Sequence, residues 1–374
     1  MSENRKILYV YSGKMKGTGI DLVVHHQVKA LADQGCAIDF LSRGRFNHKN
    51  VRNLCLPYTP ANLISFAPSA HYYSAQKRFF SLCGAFLISS FSYDIIISWA
   101  RQSLSLFRKA KKFGKCCILN EAACHYNYPL GASTWIDRVW PCFKKKDYEE
   151  EYLLADAIMV ASDVAVKSFL ENGYPGSKIY DIGRGTDISR FFPDEHKEEE
   201  IFRVAFLGKV AERKGVFHLF EAWEKADLKQ AELWIIGFIS NKMKESLLKK
   251  LPGNVKFWGF IQNPENLLQK CHVQVLLSRS EGMAKSLIEG AACGLVTITT
   301  VQSGFPVQEG DTGFFVERED SKKISELLRY LQSNSSRRKS MAKKSREYVE
   351  KSLSWDIFRK RFLAVVKNTY PSVI

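Results

Sequence analysis

Nine cysteines are present, yet no Cys-x-x-Cys pair. An odd, scattered set of thiols suggests neither a disulfide framework nor a structural zinc site, and a reducing cytoplasm is expected. The chain also lacks any Asp-x-Asp pair, so paired carboxylates holding a divalent cation are not expected, and no cofactor is implied. Long apolar runs are missing too. The most apolar stretch, Phe79 to Phe91, is broken by Ser, Cys and Gly and falls short of the roughly 20 residues that span a bilayer. Met1-Ser-Glu-Asn-Arg-Lys6 runs straight into Ile7-Leu-Tyr-Val-Tyr11, which reads as a first strand rather than an export signal. Neither a solenoid period nor a low-complexity tract appears.

What the chain does have is enough apolar residues for sizeable cores. Of 374 residues, 45% are hydrophobic and 25% charged, and that length suits two domains of roughly 150–200 residues each. The net charge of +16 asks for an anionic partner, but both halves share the excess and neither is a basic tail. With no helix-turn-helix, zinc or aromatic-basic motif, nucleic acid is not the expected partner. Locally, Arg108-Lys-Ala-Lys-Lys-Phe-Gly-Lys115 and Lys144-Lys-Lys146 concentrate charge, the second just after Trp135, Trp140 and Phe143. Apolar anchors beside a lysine run fit an interfacial contact with an anionic membrane surface, or a solvated helix face with packed aromatics.

Strand-like and helix-like segments alternate. Ile7–Tyr11, Ala37–Leu41, Tyr93–Ser98, Cys117–Asn120 and Ala157–Ala161 read as strands, with a helix from Asp21 to Gln34 closed by Gly35. The pattern restarts at Phe202–Gly208, then Ala231–Gly237, Val255–Trp258, Val273–Leu277 and Val296–Thr300. Such alternation predicts parallel, doubly wound sheets with ligands at the strands' C-terminal ends. The expected domains are residues 1–185 and 201–353, joined by a polar linker at 186–200. Helices are expected over Ser335–Lys351 and Ser354–Lys367.

One segment stands out: Ser278-Arg-Ser-Glu281-Gly-Met283-Ala284-Lys285-Ser286-Leu-Ile-Glu289-Gly-Ala-Ala-Cys-Gly294. It sets two carboxylates eight residues apart at a strand-to-helix junction, Glu281 on the turn and Glu289 on the helix. A helix N-terminus suits a diphosphate, which leaves the carboxylates to serve hydroxyls, Glu289 those of a ribose and Glu281 those of a sugar beyond the phosphates. Lys209, Arg213 and Lys214 lie on a Gly-bounded loop after the strand at 202–208 and can reach a pyrophosphate. Alone, such a loop is an ordinary solvated turn.

Four segments in order resemble family-4 retaining glycosyltransferases of the GT-B fold. They are Val204-Ala-Phe-Leu-Gly208-Lys209-Val-Ala-Glu-Arg213-Lys214-Gly215, Phe257-Trp-Gly259-Phe260, the Glu281 to Glu289 segment, and Gly304 with Gly310-Asp-Thr-Gly313-Phe-Phe-Val316. The wording around Glu281 and Glu289 is similar to that of members that build bacterial surface polysaccharides, lipopolysaccharide among them. The resemblance implies two Rossmann-like domains facing a central cleft, with the terminal helix at 354–374 crossing back to the first domain. It also implies a nucleoside diphosphate sugar donor and a saccharide or lipid-linked acceptor. Lys209, Lys214 and the helix N-terminus at Lys285–Ser286 would neutralise the leaving group, Phe260 would border the base pocket, and Met283 and Ala284 would surround the donor sugar. The family usually has Arg where Lys209 stands and Phe-Gly where Met283-Ala284 stands, so donor identity does not carry over. Arg213 is the expected compensation.

In the first half, Gly17-Thr18-Gly19 follows the first strand and allows close backbone approach to a ligand, although such a turn is often only a corner. His125 follows the strand at 117–120 and aligns with a family histidine near the donor sugar, whereas His25 and His26 fall within a helix, where a structural role is the rule. Arg184-Gly-Thr-Asp187 resembles a family hinge. The resulting expectation is a metal-independent, retaining hexosyl or N-acetylhexosaminyl transferase, cytoplasmic or peripheral on the inner face of the membrane. The rivals are a non-catalytic polyanion- or lipid-headgroup-binding protein, and a GT-B epimerase or phosphorylase.

Overall fold

The computed structural model describes residues 6–17, 19–58, 69–128, 145–196, 198–241, 245, 247 and 251–371. Thr18, and the Trp135–Lys146 segment up to residue 144, lie outside the described residues. Contacts divide the chain into two units, residues 1–183 with 358–374, and residues 184–357.

The first unit contains β1 (Lys6–Tyr11), α1 (Ile20–Asp33), β2 (Ala37–Ser42), β3 (Val51–Cys55), α2 (Ser69–Ser90), β4 (Ile95–Trp99), α3 (Leu104–Lys112), β5 (Cys116–Asn120), α4 (Lys145–Leu154), β6 (Ala157–Val160), α5 (Asp163–Leu170) and β7 (Ile179–Asp181). Its seven described strands run parallel in the order β3-β2-β1-β4-β5-β6-β7. β4 and β5 are buried along their whole length, which is why Ile95-Ile-Ile and Cys116-Cys-Ile-Leu read as unbroken apolar runs. Phe80 and Phe107 pack over one face with Val10, Ile96 and Leu119, each large side chain contributing roughly 1.5–3 kcal/mol. Two caps fix helix starts: Ser162 Oγ accepts from Ala165 N at 3.3 Å, and the buried Glu151 carboxylate accepts from Ser103 N and Leu104 N at 2.8 and 3.0 Å.

The second unit contains β8 (Phe202–Leu207), α6 (Val216–Ala226), β9 (Ala231–Ile236), β10 (Val255–Gly259), α7 (Glu265–Leu268), β11 (Val273–Leu276), α8 (Lys285–Ala292), β12 (Val296–Thr299), β13 (Gly313–Phe315), α9 (Ser321–Ser333), α10 (Ser335–Ser352) and the start of α11 (Trp355–Thr369). Its strands are parallel in the order β10-β9-β8-β11-β12-β13. Residues 184–200 are held on this unit: Thr186 bridges Ser354, and the Arg346 guanidinium donates to the carbonyls of Ile188 and Phe191 at 3.1 and 2.6 Å.

Both sheets therefore reverse strand order beside their first strand, which creates a crevice at the C-terminal ends of β1 and β4 in one unit and of β8 and β11 in the other. Three strands go beyond the sequence reading, β3, β7 and β13, and each is a sheet edge. An edge strand is half solvated and carries polar residues such as Arg52 and Asn53, so its apolar run is broken. Among the described residues no helix is long and apolar enough to cross a membrane.

Candidate functional site

The loops after β8 and β11 meet at the second unit's crevice, and two glycines allow it. Gly215 opens α6 at φ +70, and a Cβ there would collide with the Leu277 carbonyl oxygen. Gly237, after β9, lies at φ +141, and its Cβ would strike the Gly208 carbonyl. Only glycine tolerates both the left-handed backbone and the contact, so Lys214 is fixed beside the β11 loop.

On that loop Glu281 gathers the cations. Lys214 Nζ lies 2.5 Å from Glu281 Oε1, the two side chains being 17% and 18% exposed. Arg213 reaches the same oxygen at 2.7 Å and also donates to the Ser280 carbonyl at 2.8 Å, but its side chain is 56% exposed. Ser278 Oγ donates to Glu281 Oε1 at 3.3 Å. Burial alone would raise the Glu281 carboxyl; the charges and hydrogen bonds of Lys214 and Arg213 outweigh it and hold the group below its ordinary range. Glu281 is ionised at neutral pH. Backbone bonds from Glu281 N to Gln302 O and from Ala284 N to Ser303 O, both 2.9 Å, pin the loop to the segment after β12.

Glu289 sits one turn into α8, buried, and its Oε1 accepts from Lys285 Nζ at 2.5 Å across the i, i+4 spacing. Its second oxygen retains acceptor capacity. The N-cap of α8 is Ala284, which offers no side-chain acceptor, so the amides of Lys285 and Ser286 have no side-chain cap there. Met283 and Ala284 are buried; backbone is what they can offer a ligand. Among the described residues Lys209 forms no ion pair, and its Nζ lies 5.9 Å from the centre of the Phe238 ring. Phe260, between β10 and α7, is exposed.

One strut was missed by the sequence reading. Arg318, buried just beyond β13, donates to the Leu277 carbonyl at 3.2 Å and to the Glu212 carboxylate at 2.7 Å. It thereby ties the loop carrying Lys214 to the strand leading to Glu281. Arg279 adds a second tie to Glu212 at 3.1 Å. The available signal is an arginine two residues after Val316, flanked by Glu317 and Glu319.

The remaining expected residues belong to the first unit. Gly17 and Gly19 adopt φ of +76 and +55 in a loop organised by Asp21, which accepts from Tyr11 OH and Lys16 N, each at 2.6 Å. His125 follows β5, buried against the rings of Tyr126, Tyr152, Phe169 and Tyr174 at centroid distances of 4.5–5.4 Å. Its Nδ1 accepts from Asn127 N at 3.2 Å, and among the described residues Nε2 has no hydrogen-bond partner. Burial lowers its pKa to about 4, with Glu149 opposing and Lys145 adding, so the ring is neutral at pH 7.

Residues 187–348 match the family described as "Glycosyl transferases group 1". Over 211 residues the chain is 28% identical to a GDP-mannose-dependent monoacylated alpha-(1-6)-phosphatidylinositol monomannoside mannosyltransferase of Corynebacterium glutamicum, covering 49% of this chain and 55% of that protein. Over 227 residues it is 26% identical to the capsular polysaccharide biosynthesis glycosyltransferase CapM of Staphylococcus aureus, covering 55% and 60%. The match thus spans little more than half the length of these relatives. In three dimensions the chain is similar to sucrose-phosphate synthase of Thermosynechococcus elongatus, with a TM-score of 0.78 at 17% identity over 98% of this chain and 100% of that one. With its two parallel, doubly wound sheets the chain has the GT-B fold, and its residues 187–348 are similar to the group 1 glycosyl transferases.

Proposed function

We propose that this protein is a retaining, metal-independent glycosyltransferase that moves a hexosyl or N-acetylhexosaminyl unit from a nucleoside diphosphate sugar to a saccharide or lipid-linked saccharide, in surface polysaccharide synthesis at the inner face of the cytoplasmic membrane. The observation that carries this reading is the half-buried Glu281–Lys214 pair, with Arg213, at the crevice of the second sheet. A preformed cluster of cations there suits a diphosphate whose charge grows as its bond to the sugar breaks.

In this scheme Lys214, Lys209, Arg213 and the first amides of α8 stabilise the departing diphosphate. Glu281, kept ionised by the same cations, accepts hydrogen bonds from donor-sugar hydroxyls, and Glu289 uses its second oxygen for the ribose. The anomeric carbon–oxygen bond to the diphosphate breaks through an oxocarbenium-like state. The acceptor oxygen bonds to that carbon on the same face, and its proton passes to the diphosphate, so no separate base is required. The relatives' names support a sugar-nucleotide donor and a lipid-borne or polysaccharide acceptor.

The test is a panel of nucleotide sugars screened for protection against unfolding, followed by product analysis. The correct donor at ~100 times its dissociation constant adds about 2.7 kcal/mol of stability. Turnover should then yield a product with the donor's anomeric configuration and persist in excess chelator. No stabilisation by any nucleotide sugar defeats the reading; an inverted product or chelator-sensitive turnover corrects the mechanism.

A further inference from the structure

The turn that leaves β4 is held by a single carboxylate. Glu151, on α4 and 2% exposed, accepts from Arg101 N at 2.6 Å through one oxygen, and from Ser103 N and Leu104 N at 2.8 and 3.0 Å through the other. These amides belong to the β4–α3 turn and the start of α3, where no helical carbonyl is available to them. Arg101 sits there at φ +72, a left-handed conformation that a non-glycine residue keeps only where its surroundings impose it. The Glu151 oxygen on its N–H supplies that constraint from outside the turn.

The same turn governs the chain leaving β1. Gln102, also buried, accepts from Ser12 N at 3.1 Å and donates to the Val10 carbonyl at 3.2 Å, while Gln76 of α2 donates to the Ser12 carbonyl at 3.2 Å. β1 and β4 are the neighbours at which the first sheet reverses its strand order, and the crevice at their C-terminal ends is where an open parallel sheet takes its ligand. Both lips of that crevice therefore hang on Glu151, one directly and one through Gln102.

We infer that Glu151 is a positioning residue for the acceptor: its negative charge keeps the β4–α3 turn, and through Gln102 the chain after β1, in the arrangement that binds the acceptor, and protonation releases both. The inference rests on the reading that this protein is a glycosyltransferase, with its acceptor at the first unit's crevice. Burial is the largest influence on the Glu151 carboxyl and drives it up to about 7; the three amides oppose burial and the nearby Glu121 charge adds to it. Glu121, buried just after β5, accepts from Tyr152 OH at 3.0 Å and Ala123 N at 3.1 Å, and burial raises it too, against the pull of Arg101 and Lys77. The other charges along this layer are paired with one another: Asp147 with Arg78, Glu150 with Arg108, and Lys111 with Asp156. Glu151 is thus ionised above pH 7 and protonated below it. The protonated form turns an O–H donor toward amides that are themselves donors, so acceptor binding should be strong at pH 8 and weak at pH 6.

Amide hydrogen exchange and steady-state kinetics on the full-length protein test this in two arms. Protection factors at Arg101, Ser103, Leu104 and Ser12 should fall roughly tenfold, the scale of a lost charge-assisted hydrogen bond, in Glu151→Gln at pH 8 and in wild type between pH 8 and 6. For the second arm, the nucleotide sugar that best protects the protein from unfolding is the donor and a panel of octyl hexosides supplies the acceptor. The acceptor KM of wild type should rise about tenfold over the same pH step, as the ionised fraction falls from about nine-tenths to about one-tenth, with kcat and the donor KM within about twofold. Glu151→Gln should show the high acceptor KM at both pH values, and Glu151→Asp, which keeps the charge at shorter reach, should fall between. Gln102→Leu should release Ser12 while Arg101, Ser103 and Leu104 stay protected. Equal protection in wild type and Glu151→Gln, or a wild-type acceptor KM independent of pH, overturns the inference. The wild-type exchange series decides by itself where the variant does not fold or no octyl hexoside is glycosylated: unchanged protection between pH 8 and 6 overturns it. Protection that responds as expected in a protein that binds no nucleotide sugar defeats the glycosyltransferase reading and leaves the coupling of the two loops through Glu151 standing.

Discussion

The two sheets share one winding and fill their crevices in opposite ways. Beneath the first switch point lies a neutral, buried chain: Trp99 Nε1 donates to Tyr9 OH at 3.2 Å, Tyr9 OH donates to Gln27, and Gln27 Nε2 donates to Asn120 Oδ1 at 2.7 Å. Every link is closed inside the protein, and burial drives the Tyr9 hydroxyl pKa far up, so it stays protonated. At the second switch point the groups are ionic and part-exposed, with one carboxylate shared by two cations. A satisfied neutral network rigidifies, whereas an accessible ionic cluster can exchange one partner for a ligand's charge. Winding alone therefore does not assign chemistry; the side chains at the reversal do.

The largest test of this contrast is Lys214→Ala. Removing the half-buried cation should lower kcat about 10²–10³-fold, near 3–4 kcal/mol, the scale of one lost transition-state charge partner. Circular dichroism should remain native. A kcat within a factor of about two of wild type would make the ionic cluster merely structural.

Next comes His125, neutral because it is buried in the first unit. The unfolded imidazole, near 6.5, takes up a proton before the folded one, near 4. Stability owed to this group is therefore full above pH 6.5 and lost as pH falls toward 4, by about 3 kcal/mol at most. Denaturant titrations of wild type and His125→Phe from pH 7 to 4 should converge as acid is added. Parallel curves would mean that the ring is already charged or already solvated.

Two substitutions of about 1–3 kcal/mol should separate the crevices cleanly. Gln27→Leu strands Tyr9 and Asn120 and should cost stability in chemical denaturation while leaving nucleoside diphosphate affinity unchanged. Glu289→Ala should do the reverse, weakening the nucleotide by calorimetry with the unfolding midpoint spared. An equal affinity in the Glu289 variant would remove it from the ribose role.

Most of the winding is legible in the sequence because central strands are buried on both faces and show as apolar runs, as in Ile95–Trp99 and Val273–Leu276. β3, β7 and β13 are not, since one side of each faces away from the sheet. The Glu281, Arg213 and Lys214 cluster is legible as two short motifs, each anchored to a strand end. Arg318 is not legible, because its meaning depends on partners far away. Arg318 binds residues 41 and 106 positions distant, which no local pattern records.

The smallest expected effect separates the two cations on Glu281. Lys214 and Glu281 are both largely shielded, while Arg213 is more than half exposed, so water and salt screen its share. Double-mutant cycles on unfolding should give a Lys214–Glu281 coupling of about 1–3 kcal/mol, as for close, shielded partners. The Arg213–Glu281 coupling should be only about 0.2–1 kcal/mol. Raising salt to about 1 M, where the screening length shrinks to roughly 3 Å, should erase the second and spare most of the first. If the two couplings are equal and fall together with salt, Glu281 sits in an open, solvated cluster, and the sheltered charge pair that distinguishes the second crevice from the first does not exist in solution.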